Sequence, residues 1–222
     1  ASDAAVGAEM ARITGLDREQ PRRTDTGERL VLEGGGIEVN GAGAALTTRQ
    51  CLLSPKRNPS LGEADLARIL RDTLGVADVL WLDAGLEGDH TDGHIDNLAR
   101  FVAPGRVICM TPAGRADPNA DVLEEIRDTL ESARDGRGRP LELVTVPSPG
   151  EVTDADGELL SASYMNYCVT NTSVVVPTFG VANDAAAVDA IASCFPTRRT
   201  LGLPARFILA GGGSFHCITQ QE

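Results

Sequence analysis

The chain has 222 residues, of which 42% are apolar and 23% are charged, which is typical of a globular protein rather than a disordered one. Lys and Arg total 20 against 32 Asp and Glu, so the net charge is −12, and this balance argues against a nucleic-acid partner. No apolar run reaches the ~18 residues of a membrane span and no secretory signal sequence is visible, so we expect no membrane partner either.

The cysteines predict free thiols. There are five, at widely spaced positions and without a CxxC motif: Cys51, Cys109, Cys168, Cys194 and Cys217. An odd number with such spacing argues against both a disulfide framework and a thiolate zinc site. We therefore expect a reducing, cytoplasmic environment, with at least one thiol available for chemistry.

The first predicted elements are an N-terminal helical segment and a compact group of strands. Residues 1–27 predict one helix, over Asp3–Thr14. Residues 31–82 follow, in which EGGGIEVN, the turn NGAG and AALTT predict a β-hairpin. Apolar residues at helical spacing predict a helix over residues 62–74, and ADVLWL predicts a closing strand.

The same order of elements recurs in residues 94–147. HIDNLARFV, the turn APGR and VICM predict a second hairpin. An apolar stripe at helical spacing predicts a helix over residues 120–134, and residues 143–146 predict the closing strand. This segment is therefore a second copy of the first unit.

A third copy is predicted over residues 160–210. SYMNYCV, the turn TNTS and VVVPTF predict its hairpin, and we expect Asn183 to cap the following helix and Pro196 to end it. Residues 206–210 predict the closing strand. Residues 211–222 then predict the first strand of a fourth copy.

Repetition of a ββαβ order at a period of roughly 50–60 residues predicts a repeat architecture. The main rival, a doubly wound sheet, also alternates strands and helices, but its units lack the hairpin. We therefore predict an α/β fold of pseudo-symmetric units around an axis, in a single domain over residues 1–222.

Polar residues lie where the first strand of each predicted unit begins. Glu33, the cluster around His94, and Cys217 occupy these positions. Equivalent positions of a pseudo-symmetric ring converge on its axis. A carboxylate, a His–Asp pair and a thiol are therefore expected to meet at one site.

His94 and Asp96 form a candidate acid–base pair. Residues two apart on a strand share a face, and an imidazole beside a carboxylate can exchange protons and hold a cation. The alternative is a surface strand with two polar side chains directed outward.

Cys217 and Glu33 both adjoin glycine runs, which let a backbone approach a ligand closely. Cys217 could supply a nucleophilic thiolate, or it could be a buried structural cysteine, the role assigned to the other four. Glu33 could be a turn carboxylate or a site acid. Neither GxxxxGK[ST] nor GxGxxG is present, so nucleotide binding is unsupported.

The stretch GDHTDGHID also permits a metal site. Carboxylates and imidazoles could ligate a divalent cation, and equally could bind a guanidinium. The candidate ligands are Asp89, His90, Asp92, His94 and Asp96.

Three segments, in this order, resemble the agmatine deiminase and bacterial-type peptidylarginine deiminase family of the guanidino-group-modifying superfamily: LVLEGGGIEVNGAGAALTTRQCLLSPKRNP, GDHTDGHIDNLARFVAPG and GGGSFHCITQQE. The resemblance implies a five-fold pseudosymmetric α/β propeller. It also implies hydrolysis of a guanidinium to a ureido group with release of ammonia, without a metal or other cofactor. For agmatine the product is N-carbamoylputrescine. A homodimer is a further expectation from the family.

The resemblance assigns roles to four residues. Cys217 matches the nucleophile and His94 the general acid/base. Asp96 matches a guanidinium-binding carboxylate and Glu33 a second carboxylate at the site.

Two further acids, Asp89 and Asp92, are candidates for binding the distal amine of the substrate or for shaping the loop, and we favour the loop. The second guanidinium-binding Asp of the family lies in an upstream RDTGP-like motif that this sequence lacks. We therefore expect an incomplete ring whose gene product extends upstream by roughly two repeat units. On that expectation the 222-residue chain alone has little or no deiminase activity.

Agmatine is the first choice of substrate, and three alternatives stay open. The substrate could be peptidyl-arginine or free arginine, whose α-carboxylate would need a cation such as Arg49 or Arg100. The chain could be a truncated, non-catalytic polyamine-binding remnant. It could also be a metal-dependent hydrolase that uses the Asp/His cluster.

Overall fold

The computed structural model describes residues 3–23, 26–135 and 138–220. The chain divides into two compact regions, Ala1–Val31 and Leu32–Glu222. No helix in the described part of the chain is long and apolar enough to cross a membrane. The assignment of the whole chain to a single catalytic domain stays a prediction.

In the first compact region, helix α1 spans Asp3–Thr14, as predicted. Further along this region, Arg22 and Arg29 form an isolated antiparallel bridge. The predicted N-terminal helical segment also includes residues 1, 2, 24 and 25, which lie outside the described residues.

The second compact region contains three three-stranded sheets, one for each predicted repeat unit, and begins with the first of them. Its elements are β1 (Glu38–Val39), β2 (Ala44–Thr48), the short helix α2 (Arg49–Leu52), α3 (Glu63–Leu74) and β3 (Asp78–Leu82). Strand β2 lies in the middle, antiparallel to β1 and parallel to β3. The predicted ββαβ order is therefore present, with one extra helical turn after β2.

The second sheet has the same topology. Its elements are β4 (Ala99–Ala103), β5 (Arg106–Thr111), α4 (Ala120–Ser132) and β6 (Glu142–Pro147). Strand β5 pairs antiparallel with β4 and parallel with β6. The helix, the second hairpin strand and the closing strand follow the sequence pattern closely.

The third sheet repeats this arrangement. Its elements are β7 (Cys168–Val169), β8 (Ser173–Thr178), α5 (Asp184–Cys194) and β9 (Arg199–Pro204), and a short helix, α6 (Arg206–Leu209), follows. Strand β8 pairs antiparallel with β7 and parallel with β9.

Apolar faces of the long helices explain the packing of these units. Leu123, Ile126 and Leu130 of α4 are buried at helical spacing and belong to one large apolar core with strand β5. Helix α3 buries the equivalent stripe, begins with acidic residues that favour a helix N-terminus, and ends at Gly75, whose φ of +68° suits a helix C-terminus.

The end of the third unit differs from the prediction. Residues 206–210, predicted as the closing strand, contain helix α6 instead, and the closing strand is β9, which pairs along the full length of β8. The short apolar run RFIL suits either a strand or a helix, and periodicity alone cannot separate them. Strand β9 escaped detection because all six of its residues are exposed or half-buried, without an alternating pattern.

The predicted final strand over residues 211–222 is also wrong. Residues 211–220 contain turns and no strand, and residues 221 and 222 lie outside the described part of the chain. Backbone hydrogen bonds from Gly211 to Ile208 and from Gly212 to Leu209 continue the turn of α6. Three successive glycines favour such a turn over an extended strand.

The first strand of each unit begins later than predicted. Residues Gly34–Gly36 and Ile95–Asn97 form two 3₁₀ helices that contact each other, ahead of β1 and β4. His94 and Asp96 therefore do not lie on one face of a strand. In the third unit, Asn183 occupies the N-cap position of α5, but its side chain donates to the Ser148 carbonyl oxygen instead of capping the helix.

A buried arginine connects the three sheets. Nε of Arg100, in β4, donates to Glu38 of β1 over 2.8 Å, and Nη1 donates to the carbonyl oxygens of Met165 and Tyr167 over 3.1 Å each. Its guanidinium also lies 4.8 Å from the centre of the Tyr167 ring. The segments that open the three units are thereby held together, and the candidate site lies among them.

Candidate active site

A close approach between two loops places the backbone before His94. A Cβ on Gly85 would lie 2.3 Å from Cα of Gly93, so the two backbones are in direct contact. The Thr48 hydroxyl donates a 2.7 Å hydrogen bond to the Gly93 carbonyl oxygen. The 3₁₀ helix that follows then directs Asp96 into the same cavity as His94.

Glycine at position 35 leaves room for these side chains. A Cβ at Gly35 would lie only 2.5 Å from Nδ1 of His94 and 2.8 Å from Oδ2 of Asp96. The glycine run before β1 therefore forms a wall of the cavity that only a residue without a side chain can form. The His94 imidazole and the Asp96 carboxylate both face this wall.

Asn166 builds the turn that carries Cys217. Its Oδ1 accepts hydrogen bonds from the backbone N–H groups of Ser214 (3.2 Å), His216 (3.0 Å) and Cys217 (3.3 Å). Its Nδ2 donates to Sγ of Cys217 over 3.0 Å. A Cβ at Gly213 would lie 2.8 Å from the Cys217 Cβ, so the turn also depends on this glycine.

The Asp96 carboxylate contacts the thiol directly. Oδ2 lies 2.8 Å from Nδ1 of His216 and 3.5 Å from Sγ of Cys217. Oδ1 of Asp96 and Nε2 of His94 are both buried and have no hydrogen-bond partner among the residues that the structure describes. Unsatisfied buried polar atoms are costly, so a ligand with hydrogen-bond donors would be stabilised at Asp96.

The surroundings of Cys217 raise the pKa of its thiol. The residue as a whole is exposed, but partial burial of its sulfur raises the pKa, and the neighbouring Asp96 carboxylate raises it further. Hydrogen bonds from Asn166 and from the Ser214 backbone act in the opposite direction. A bound cation that neutralises Asp96 would remove one of the two causes of the raised pKa.

Glu33 is already paired with a cation. Nε of Arg57 donates to both of its oxygens, over 2.8 and 2.9 Å. The Arg57 side chain, which is 10% exposed, also donates to Asp92 Oδ2 (3.1 Å) and to the Thr91 carbonyl oxygen (2.8 Å). Glu33 keeps 41% of its side-chain surface exposed, so part of its carboxylate remains accessible from the cavity.

The acidic loop does not form the alternative metal cluster. Asp89 accepts hydrogen bonds from the N–H and hydroxyl of Thr91, and Asp92 pairs with Arg57 and Lys56. Neither acid lines the cavity at Cys217. Among the described residues, one set of three metal-ligating side chains has all its ligand atoms within 4.8 Å of one another: Glu33, Cys51 and His94.

One cavity of about 760 Å³ brings together the four residues to which the sequence assigned chemistry. Its walls come from the segment before β1, the His94 loop and the turn after α6. Its polar lining includes Glu33, Glu38, His94, Asp96, Arg100, His216 and Cys217, and its apolar lining includes Ile37, Val39, Ile208 and Ile218.

The two arginines proposed for an α-carboxylate both have other partners. Arg49 pairs with Glu63 and Asp83 and does not line this cavity. Arg100 lines it, but its guanidinium is bound to Glu38 and to backbone carbonyls.

Sequence reasoning missed Asn166, His216 and Arg57. His216 precedes the candidate nucleophile and is one of only three histidines in the chain, so it could have been found. Asn166 and Arg57 carried no such signal, because their roles arise from contacts across 51 and 24 positions of the sequence, respectively.

Replacing Asn166 by Ala is expected to raise the pKa of the Cys217 thiol further, since the substitution removes a hydrogen bond that favours the thiolate. The alkylation rate of Cys217 by iodoacetamide, followed by peptide mass mapping across a pH series, measures this. We expect the curve to move to higher pH in the variant and to stay unchanged in Asn183→Ala, whose side chain bonds elsewhere. An unchanged curve for Asn166→Ala would contradict this role.

The sequence matches a known family model along residues 1–222. This model is described as Porphyromonas-type peptidyl-arginine deiminase. The chain belongs to this family. The resemblance stated from the three sequence segments is thereby confirmed.

Relatives in the family carry the name agmatine deiminase. That of Ectopseudomonas mendocina (strain ymp) is 38% identical over 224 residues, covering 93% of this chain and 61% of the relative. The fold is similar to agmatine deiminase of Enterococcus faecalis, with a TM-score of 0.90, 34% identity and coverage of 99% of this chain and 63% of the other. For agmatine deiminase of C. jejuni the TM-score is 0.82, with 26% identity and coverage of 97% and 60%. The chain thus spans about three fifths of the length of these relatives.

Proposed function

We propose that the protein hydrolyses the guanidinium group of agmatine to N-carbamoylputrescine and ammonia, through a covalent thiouronium on Cys217. One observation carries this proposal. Sγ of Cys217 lies 3.5 Å from the carboxylate of Asp96, in a cavity that His94 also lines, and Oδ1 of that carboxylate is buried without a partner among the described residues.

Asp96 binds and orients the substrate. Its free Oδ1 accepts a charge-assisted hydrogen bond from the planar guanidinium, while His216 holds Oδ2 in place. Glu33 supplies a second carboxylate at the rim of the cavity. The guanidinium carbon is a poor electrophile because its charge is delocalised, so fixing it over the sulfur accounts for much of the rate.

The first half of the reaction forms a carbon–sulfur bond. The substrate cation offsets the charge of Asp96, so the Cys217 thiol releases its proton to solvent and becomes a thiolate. The thiolate attacks the guanidinium carbon and gives a tetrahedral adduct. His94, in its protonated form, gives a proton to one amino group, the carbon–nitrogen bond breaks, and ammonia leaves the thiouronium behind.

The second half returns the free enzyme. Neutral His94 takes a proton from water, and the resulting hydroxide attacks the thiouronium carbon. The carbon–sulfur bond then breaks and the new hydroxyl group loses its proton to solvent, which releases the neutral ureido product and the Cys217 thiolate. Both proton transfers use the same imidazole, which needs a position that faces the cavity, as Nδ1 does at the Gly35 wall.

The lining of the cavity favours agmatine over free arginine. Arg100 is the one Arg or Lys among the described residues that line it, and its guanidinium is committed to Glu38 and two carbonyl oxygens. An α-carboxylate would therefore lack a free cation. A chain of methylenes suits the apolar residues of the lining, and the relatives named above are agmatine deiminases.

The ring architecture remains part of the same proposal. Three ββαβ sheets are joined where their first strands begin, by Arg100 and by a 2.9 Å hydrogen bond between the Asn166 and Asn97 side chains. Such convergence of equivalent segments supports a pseudo-five-fold propeller with the site at its axis.

Replacing Asp96 by Asn is expected to lower kcat/KM for agmatine. The change preserves the shape but removes a charge-assisted hydrogen bond of about 1.5–3 kcal/mol, which corresponds to roughly a tenfold to a hundredfold loss of binding, and misorientation lowers kcat in addition. Steady-state kinetics in the full-length protein measure the weaker binding, as a change in KM, and the lower kcat. An unchanged kcat/KM would show that Asp96 is structural.

A product assay tests the function and its alternatives together. Ureido formation is measured with agmatine, free arginine and a blocked arginine peptide, with and without EDTA. We expect turnover of agmatine in preference to the other two, and turnover that survives EDTA. Preference for either arginine substrate, loss of activity with EDTA, or polyamine binding without turnover would each replace the proposal by the corresponding alternative.

A further inference from the structure

Beside the proposed site, a second thiol faces the general acid/base. Cys51, in α2, is fully buried, and a Cβ on Gly36 would lie 3.2 Å from its Sγ and 4.0 Å from Cδ2 of His94. The absence of a side chain at Gly36 thus leaves the thiol and the imidazole facing a shared space. This arrangement has no part in the deimination steps.

Glu33 completes a set of three ligands. Ligand atoms of Glu33, Cys51 and His94 lie within 4.8 Å of one another, and this set is the one such group among the residues that the structure describes. His94 is 8% exposed, and its Nε2 is buried with no partner in the described part of the chain. An imidazole nitrogen without a partner, beside a thiol and a carboxylate, is an incomplete polar environment that a cation would satisfy.

We propose that Glu33, Cys51 and His94 form a binding site for a thiophilic divalent cation of the Zn²⁺ type, and that the bound ion inhibits the enzyme by occupying His94. Binding depends only on these three side chains, whereas the inhibitory effect rests on the proposed function. The ion would hold the imidazole that both halves of the reaction require as proton donor and acceptor.

The donor set selects the class of ion. One sulfur, one imidazole nitrogen and one carboxylate oxygen suit Zn²⁺ and Co²⁺, whereas Mg²⁺ and Ca²⁺ prefer oxygen ligands. Three protein ligands leave a fourth position for water. On binding, the Cys51 thiol forms a sulfur–metal bond and releases its proton to solvent, so no other reactant is needed.

Small movements bring the ligands into range. Around a tetrahedral zinc ion, with bonds of about 2.0–2.3 Å, ligand atoms lie roughly 3.3–3.8 Å apart. The largest separation here is up to 4.8 Å, so a shift of about an ångström closes the site. Glu33 can supply it, because its side chain is 41% exposed and Arg57 keeps its bonds to Asp92 and Thr91 when it releases one Glu33 oxygen.

Spectroscopy tests the site without reference to activity. The metal-free protein is titrated with Co²⁺, to detect sulfur-to-cobalt charge transfer, and with Zn²⁺ against a chromophoric chelator. We expect one ion per chain with a charge-transfer band. We expect Cys51→Ala and Cys51→Ser to lose the band and at least about tenfold in affinity, since a direct ligand matters at least as much as an outer-shell partner.

Two control variants separate this site from other thiols. Cys109→Ala truncates an equally buried cysteine outside the set, and Cys217→Ala removes the nucleophile. Both are expected to keep the band and the affinity. Absence of ion binding in the unsubstituted protein, retention of the band by folded Cys51 variants, or its loss in Cys217→Ala would overturn the site. Thermal melting of each variant identifies failure to fold, and two substitutions at position 51 give two chances of a folded variant.

An activity assay tests the inhibitory role. Zn²⁺ is expected to inhibit agmatine hydrolysis reversibly, with recovery on adding EDTA, and Cys51→Ala is expected to need at least about tenfold more Zn²⁺ for the same inhibition. Equal sensitivity in the two proteins would overturn the inhibitory role. If no form hydrolyses agmatine, the proposed function fails, whereas the cobalt spectra still decide whether the site exists.

Discussion

Replacing Cys217 by Ala is expected to abolish deiminase turnover in the full-length protein, with a loss of at least about a thousandfold, while leaving the fold intact. The substitution removes the one nucleophile in the proposed reaction, and a positioned substrate then has nothing to react with. The side chain is exposed and lies in a turn held by Asn166, so little packing is lost. Steady-state kinetics measure the loss of turnover, and thermal melting measures whether the fold is intact.

Covalent labelling provides the control for this variant. A haloacetamidine inhibitor resembles the guanidinium and is expected to label Cys217 in preference to the other cysteines, Cys51, Cys109, Cys168 and Cys194. Peptide mass mapping identifies the labelled residue. Labelling of another cysteine, together with retained activity in Cys217→Ala, would overturn the assignment of the nucleophile.

Replacing Gly35 by Ala is expected to lower kcat/KM at least about a hundredfold, because displacement of reactive groups by an ångström can cost that much. The new methyl group would lie 2.5 Å from Nδ1 of His94 and 2.8 Å from Oδ2 of Asp96, so both must move. The adjacent Gly34→Ala is the matched control, since among the described residues its Cβ would meet only the Gln220 side chain, at 3.6 Å.

The comparison of the two glycine variants is decisive for the geometry. We expect Gly34→Ala to lose less than about tenfold in kcat/KM, and both variants to melt within a few degrees of the unsubstituted protein. Equal activity of Gly35→Ala and Gly34→Ala would contradict the placement of His94 and Asp96 against this wall.

Strong local patterns made most of the fold predictable. Helices α3 and α4 each carry an apolar stripe at helical spacing, and the central strands β2 and β5 are mostly buried and follow turns that contain glycine. The ββαβ repeat followed from these elements. Each is determined by short-range periodicity, which a sequence displays directly.

The elements that were missed have no such periodicity. Strand β9 is mostly exposed and is stabilised by its pairing with β8, which is a contact between distant parts of the chain. The glycine runs before β1 and after α6 form turns and a 3₁₀ helix because glycine adopts many conformations, so their sequence does not specify an extended strand.

Four residues of the site were predictable from the sequence, but their geometry was not. Equivalent positions in the repeat brought Glu33, His94, Asp96 and Cys217 into one expected cavity, and all four line it. The expected strand geometry of His94 and Asp96 was wrong. The support that Asn166 gives to the nucleophile depends on hydrogen bonds formed only when the third unit packs against the last turn.

The most direct measurement is the chemical quench of a single turnover with agmatine that carries deuterium on its butyl chain. We expect a transient adduct on the peptide that contains Cys217, with the mass of agmatine less ammonia, which forms before N-carbamoylputrescine is released. The same adduct should be absent from Cys217→Ala. Product formation without any adduct, or with the label on a residue other than Cys217, would contradict the proposed covalent thiouronium on Cys217.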